Sequence, residues 1–154
     1  MATGKTEIDG ATYYLGTEKD GFMRTGWIRL EENSHAPGAS ESWYYFNSDG
    51  KMVTTQYDKK IDGSYYTFID GKMQTGWLLY NNTWYYLSES GAMVTGWITL
   101  GDKAYYLGGD GGMLTGWQNI DGQIYYLYPD GHKAVNEVID TFYVDQDGIW
   151  RKPQ

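Results

Sequence analysis

The chain has no cysteine, only three prolines and no run of apolar residues long enough to span a bilayer. Without thiols there is no disulfide framework and no thiolate metal site, so packing must hold whatever fold forms, and the redox compartment stays open. Without a run of about eighteen apolar residues there is no spanning helix. Aliphatic residues are scarce as well. Ile, Leu, Val and Phe number 27 of 154, a share that on composition alone points to disorder. Basic residues are outnumbered, with twelve Lys and Arg against twenty Asp and Glu for a net charge of -8. They lie singly or in pairs such as Lys59-Lys60 and Arg151-Lys152, which argues against a nucleic-acid binder gripping phosphates with clustered cations. Met1-Ala2-Thr3-Gly4-Lys5 has neither the basic nor the apolar region of a signal peptide.

Aromatic residues overturn the disorder reading. Sixteen Tyr, seven Trp and four Phe offer far more buryable area each than the missing aliphatics, and disordered segments are poor in them. Twenty-one glycines imply many tight turns.

Self-similarity at a fixed period organises all of this. Thr75-Gly76-Trp77 recurs as Thr95-Gly96-Trp97 and Thr115-Gly116-Trp117, twenty residues apart, and upstream as Thr25-Gly26-Trp27. Aromatic pairs keep step at Tyr13-Tyr14, Tyr44-Tyr45, Tyr65-Tyr66, Tyr85-Tyr86, Tyr105-Tyr106, Tyr125-Tyr126 and Phe142-Tyr143. A Met follows a Gly by two residues at Met23, Met52, Met73, Met93 and Met113, and Lys133 and Trp150 take that slot in the last two units. Within a unit, β-prone runs flank a dipeptide that tolerates positive φ: Asp9-Gly10, Asn81-Asn82, Gly101-Asp102 or Asp121-Gly122. No stretch has helical periodicity.

The spacing predicts an all-β solenoid of stacked two-stranded β-hairpins. About seven units run over roughly 1–26, 27–56, 57–76, 77–96, 97–116, 117–136 and 137–154 as one repeat array. An isolated hairpin is marginal in water, so each unit buries its apolar face on a neighbour. An insertion around Glu31 to Ser40 reads as a long solvated loop. At the start of the third unit the Trp slot holds Gln56, or Tyr57 if the strand takes an extra residue. At the chain ends it holds Lys5 and Glu137, as expected of capping repeats.

Strand alternation places Trp84 and Tyr86 on one side of a hairpin and Tyr85 and Leu87 on the other. The Leu87-type slot reads Leu15, Phe46, Thr67, Leu87, Leu107, Leu127 and Val144, and its side is expected to be core. The Trp84-type slot varies from Trp43 and Trp84 to Ser64, Ala104, Ile124 and Thr141, more than packing requires. Rings that converge at the strand starts with no bulky aliphatic between them form an electron-rich box, suited to a quaternary ammonium or the apolar face of a sugar. Residues of catalytic type make no constellation. His35 lies in the insertion, His132 in a turn, and nearly every Asp beside a turn Gly, so no catalytic residue, metal or cofactor is expected.

The pattern Gly-Trp, Trp-Tyr-Tyr-Leu, Gly-x-Met-x-Thr-Gly-Trp resembles the cell-wall-binding (choline-binding) repeat family of Gram-positive surface proteins and phage lysins. The match runs from about Thr3 to Trp150. The resemblance implies a left-handed hairpin solenoid of a secreted or surface protein, without catalytic activity, that holds choline of teichoic or lipoteichoic acid in aromatic boxes. Carried over residue by residue, it implies a box of Trp77, Trp84 and Tyr106 with Met113 as a fourth wall, and a second of Trp27, Trp43 and Tyr66. Boxes on Trp97 with Tyr126 and on Trp117 with Tyr143 lose an aromatic to Ala104 and Ile124, and the unit of Gln56, Tyr57 and Ser64 lacks a box. A glucan-binding repeat is the alternative, since Ile61-Asp62-Gly63 and Ile120-Asp121-Gly122 occur in related sugar-binding repeats, although no shared polar residue stands beside the Trp slots. A structural spacer or adhesin stalk is the third reading, and a homodimer is compatible with the sequence.

Overall fold

The computed structural model describes residues 4–16, 21–31 and 40–153. His35 and residues 32–39 of the insertion lie outside them. Among the described residues there is no helix, and sixteen strands form seven antiparallel sheets. The chain divides into two compact units, Met1–Thr75 with Glu89–Ala92, and Gly76–Ser88 with Met93–Gln154.

In the first unit β1 (Gly4–Ile8) pairs with β2 (Ala11–Leu15), which also pairs with the short β3 (Met23–Arg24). Strand β4 (Gly26–Glu31) pairs with β5 (Glu41–Phe46), and β6 (Gln56–Ile61) with β7 (Ser64–Ile69), flanked by β8 (Lys72–Met73). The second unit holds four hairpins: β9 (Gly76–Tyr80) with β10 (Thr83–Leu87), β11 (Gly96–Leu100) with β12 (Lys103–Leu107), β13 (Gly116–Ile120) with β14 (Gln123–Leu127), and β15 (Glu137–Ile139) with β16 (Phe142–Val144).

The dipeptides close the hairpins for the reason the sequence suggests. Asn81 and Asn82 have φ of 48° and 61°, and Asp121 and Gly122 have 53° and 83°, the left-handed pair whose twist matches that of the flanking strands. Each turn then fixes the register. Trp77 stands opposite Tyr86 and Leu79 opposite Trp84; the same rung pairs Trp97 with Tyr106, Trp117 with Tyr126, Trp27 with Tyr45 and Lys5 with Tyr14.

After each hairpin the chain turns back and lays one residue beside the Leu-type slot, giving the bridges Phe46–Met52, Leu87–Met93, Leu107–Met113, Leu127–Lys133 and Val144–Trp150. That residue also reaches the preceding hairpin. The Met113 N–H donates to the Trp84 carbonyl at 2.7 Å, Lys133 to Ala104 at 2.8 Å and Trp150 to Ile124 at 2.8 Å, as Met52 does to Thr12 at 2.8 Å in the first unit. These residues act as wedges between consecutive hairpins. Behind them Phe46, Phe68, Leu107, Leu127 and Val144 are fully buried, which satisfies the expectation that the Leu87-type slot is core.

One unit departs from the expected alignment. Phe68, not Thr67, takes its Leu-type slot: Phe68 pairs with Met73, and Thr67 accepts from the Gln74 N–H as Tyr106 accepts from Leu114. A β-bulge causes the shift. Between the pairs Gln56–Phe68 and Lys59–Tyr66 two residues, Tyr57 and Asp58, face Thr67 alone, and Asp58 adopts φ 54°. The strand thus takes the extra residue that brings in Tyr57, and the Trp84-type slot is Tyr65 rather than Ser64. In the last hairpin Glu137 pairs with Val144, so Val138 rather than Glu137 stands in the Trp slot, opposite Tyr143.

Candidate functional site

Each Trp at a strand start meets two kinds of ring. One comes from its own hairpin: Trp77 lies 5.2 Å from Tyr86 and 6.3 Å from Trp84, the latter at 87°. The other comes from the hairpin that follows, where Tyr105 lies 5.1 Å from Trp77 at 71°. Edge-to-face pairs at these distances add about 0.5–1.5 kcal/mol each beyond the area they bury. Trp97 repeats the arrangement with Tyr106 and Tyr125, both at 5.0 Å. Trp117 meets Tyr126 at 5.1 Å and Phe142 at 5.9 Å.

The ring that the next hairpin supplies is therefore the first of each aromatic pair. Tyr105 joins Trp77 and Trp84, whereas Tyr106 lies across its own hairpin from Trp97. Likewise Tyr125 rather than Tyr126, and Phe142 rather than Tyr143, face the preceding Trp. The physical reason is the way repeats propagate. Trp77, Trp84 and Tyr86 share one face of their hairpin, and a repeat that continues by one operation must set that face against the opposite face of the next, where Tyr105 and Leu107 point. Two copies of the same face meet only across a twofold axis. In the first unit Trp27 meets Trp43 at 6.4 Å and Tyr66 at 4.9 Å. Once the bulge is counted, Tyr66 is the same kind of ring as Tyr105.

Three gaps of the second unit share this construction and differ in what closes them. The first is a recess of about 300 Å³ lined by Trp77, Trp84, Tyr105, Met113 and Asp130. Trp77 and Trp84 keep 36% and 41% of their surface exposed, so their rings are walls and not filling. Met113 is seated by Gly131, where φ is 92° and a Cβ would come within 2.2 Å of the Met113 sulfur. Only glycine suits that turn.

Asp130 had the look of a turn residue in sequence, and it is one: its carboxylate accepts from the His132 N–H at 3.1 Å and meets the His132 ring nitrogen Nδ1 at 2.5 Å. Partial burial works to raise its pKa, but these hydrogen bonds and the charges of His132 and Lys103 outweigh burial and hold the carboxyl below its usual 3.8. A carboxylate thus stands at the recess ionised at neutral pH, where it favours a cation. Its sequence signal is the fixed distance from the Leu-type slot, three residues after Leu127.

In the second gap Ala104 replaces the second Trp and Lys133 replaces Met. The Lys133 ammonium lies 5.2 Å from the Trp97 ring centre and 5.8 Å from that of Tyr125. Burial raises the pKa of the Tyr125 phenol, and the nearby carboxylates of Asp121, Asp145 and Asp147 raise it further. Asp145 is itself paired with Arg151 at 2.6 Å, so Asp121 and Asp147 carry most of the negative field near that ring. The third gap is a smaller recess of about 190 Å³ lined by Trp117, Ile124, Phe142 and Trp150. Trp150, in the wedge slot, restores the ring that Ile124 removes. Its indole N–H is buried without a partner, so packing holds it. Among the described residues no group of three or more His, Asp or Glu could hold a metal ion.

Comparison with known families decides what kind of repeat this is. The model of the choline-binding repeat matches residues 59–95 and 94–137, half of the chain, and one of a cell wall binding repeat matches residues 39–52. The chain belongs to the choline-binding repeat family. Solved structures agree with this membership. Choline-binding protein F of Streptococcus pneumoniae is similar at 40% identity and a TM-score of 0.82 over 98% of this chain and 48% of its own. CbpJ of the same species is similar at 38% identity and a TM-score of 0.80 over 97% of this chain and 48% of its own. The pneumococcal cell wall endolysin of phage Cp-1, solved in complex with choline, shares 28% identity and a TM-score of 0.55 over 91% of this chain and 41% of its own. No curated protein matches the sequence. This choline-binding repeat chain spans about half the length of the pneumococcal proteins it resembles.

Proposed function

We propose that this chain is a non-catalytic cell-wall-binding module, acting outside the cell as one repeat array, that holds choline groups of teichoic or lipoteichoic acid between successive hairpins. The observation that carries the reading is the Trp77 recess. Two indoles at right angles, a phenol from the next hairpin and a thioether wall off a half-open space, and an ionised carboxylate stands beside it. Such a space suits a compact cation without hydrogen-bond donors. A trimethylammonium group presents methyl groups to every wall and needs no polar partner, whereas a sugar requires groups aimed at its hydroxyls. The Cp-1 endolysin solved in complex with choline and choline-binding protein F solved with a peptidoglycan analogue support a cell-wall ligand.

Magnitudes agree with an array. Each ring contributes about 0.5–2 kcal/mol to a cation, so three rings give a few kcal/mol, and about 4 kcal/mol is millimolar. A polymer that repeats the head group engages several recesses at once and gains about 10²–10⁴ in avidity without a new contact. The test is a choline chloride titration followed by tryptophan fluorescence and by melting temperature. Saturation at millimolar choline with a rise in Tm is the expected outcome. No response to choline together with retention on dextran overturns it in favour of a glucan ligand.

A further inference from the structure

Among the gaps of the second unit, the one at Trp97 already contains a cation. Lys133 holds the wedge slot that Met113 holds one repeat earlier: both donate their backbone N–H to the preceding hairpin, to Ala104 and to Trp84, and both bridge to a Leu-type residue. The stem of Lys133 follows the path of Met113. A Cβ on Gly148 would fall 2.8 Å from Lys133 Cδ and 3.0 Å from Cε, as one on Gly131 would strike the Met113 side chain. Where the Met113 side chain ends, Lys133 continues and sets its ammonium over Trp97 and Tyr125 at 5.2 and 5.8 Å. The same ammonium donates to the Asp147 carbonyl at 2.8 Å. Ala104, in the slot of Trp84, removes one wall of the gap. The carboxylates of Asp121 and Asp147, which act on Tyr125, suit a positive charge there, while that of Asp145 is paired with Arg151.

We propose that Lys133 is the resident ligand of the Trp97 gap: its ammonium takes the place that an external quaternary ammonium takes in the Trp77 recess, so this gap is self-filled and closed to choline. The inference rests on the reading that the Trp77 recess takes choline, and it adds that identical Trp and Tyr walls in the next repeat do not. It also gives the hydrogen bond to Asp147 a role, since the internal cation ties the turn before Trp150 to the preceding hairpin whether or not choline is present. The first unit offers a parallel. Lys5 stands in the Trp slot, and its ammonium lies 4.4 Å over Tyr44, a ring of the Tyr105 kind.

Three forms of the full chain test this by calorimetric titration with choline chloride: wild type, A104W, and A104W with K133M, which reproduces the walls of the Trp77 recess. We expect A104W to bind the wild-type number of choline molecules and the double variant to bind one more. A gain by A104W alone, or no gain in a double variant that melts cooperatively, overturns the proposal. NMR of the wild type, with lysine side chains labelled, provides a readout that needs no substitution. The ε-methylene protons of Lys133 are expected upfield of those of the other lysines through ring currents, and unmoved at saturating choline. Shifts that coincide with the other lysines, or that move on saturation, overturn the internal occupancy by themselves. A wild type that binds no choline overturns the underlying reading while leaving the methylene shift to judge Lys133.

Discussion

The Trp77 recess and the Trp97 gap lie one repeat apart and share nearly the same frame. A strand-start Trp stands 5.1 Å from the next hairpin's Tyr in one and 5.0 Å in the other, at 71° and 67°. What differs is the two remaining walls. Trp84 and Met113 leave a recess of about 300 Å³ beside Asp130, whereas Ala104 and Lys133 put an ammonium where the recess would be. The frame belongs to the fold, and two variable slots set whether a repeat holds an open recess or an internal ammonium. Counting Trp or Tyr residues therefore does not count open recesses.

The largest blow to both gaps at once is expected from Leu107→Ala. Leu107 is fully buried in the hairpin that supplies Tyr105 to one gap and Trp97 to the other. Its loss costs about 2–5 kcal/mol through lost transfer energy and a residual cavity, read as a lower Tm; an unchanged Tm breaks the view that the two share a frame. Next comes Gly131→Ala. It forces a Cβ onto the Met113 sulfur at a φ of 92°, with an expected cost of about 1–3 kcal/mol and weaker choline binding at the Trp77 recess, while the ring-current shift of Lys133 stays.

The comparison sharpens with Trp84→Ala and Tyr105→Ala. Each removes one wall of the Trp77 recess, and about 1.4 kcal/mol is a tenfold loss, so roughly tenfold weaker choline binding is expected when the Trp77 indole signal is followed by NMR. Tyr106→Ala, on the Trp97 side of the same hairpin, is expected to leave that signal's choline response intact. Equal losses from Tyr105→Ala and Tyr106→Ala would reverse the assignment of faces.

Smallest is Asp130→Asn, a few-fold loss of affinity that fades with added salt because the carboxylate is largely exposed. Its pH dependence has a definite sign. The folded pKa is lowered from 3.8, so what the ionised carboxylate adds to stability and to cation binding is complete above about pH 4 and disappears only as the pH falls through the lower, folded value. Loss of choline affinity between pH 7 and 5 in an H132Q variant, which has no imidazole to gain charge beside Asp130, would contradict this.

Much of the fold was legible because its signals are local. Twenty-residue spacing, Asp-Gly and Asn-Asn turns and an apolar residue after most aromatic pairs each act within a few residues, and together they fix hairpins, register and most of the core. The misplaced unit shows where that ends. A bulge at Tyr57-Asp58 inserts one residue without any residue type that demands it, so counting along the sequence puts Thr67 where Phe68 stands. The candidate site was legible in part. Trp77, Trp84 and Met113, which the family resemblance put in one box, line one recess, but Tyr105, Asp130 and Trp150 had no expected place in a box because their roles depend on contacts between hairpins.

By itself the sequence determined that this chain forms a series of hairpins rich in rings at fixed positions, since turn chemistry and strand alternation are set by neighbours along the backbone. Only the tertiary structure decided which rings meet and which gaps stay open. Strand alternation defines two faces without saying which face of one hairpin lies on which face of the next. That choice places Tyr105 beside Trp77, and it carries the Lys133 ammonium over Trp97.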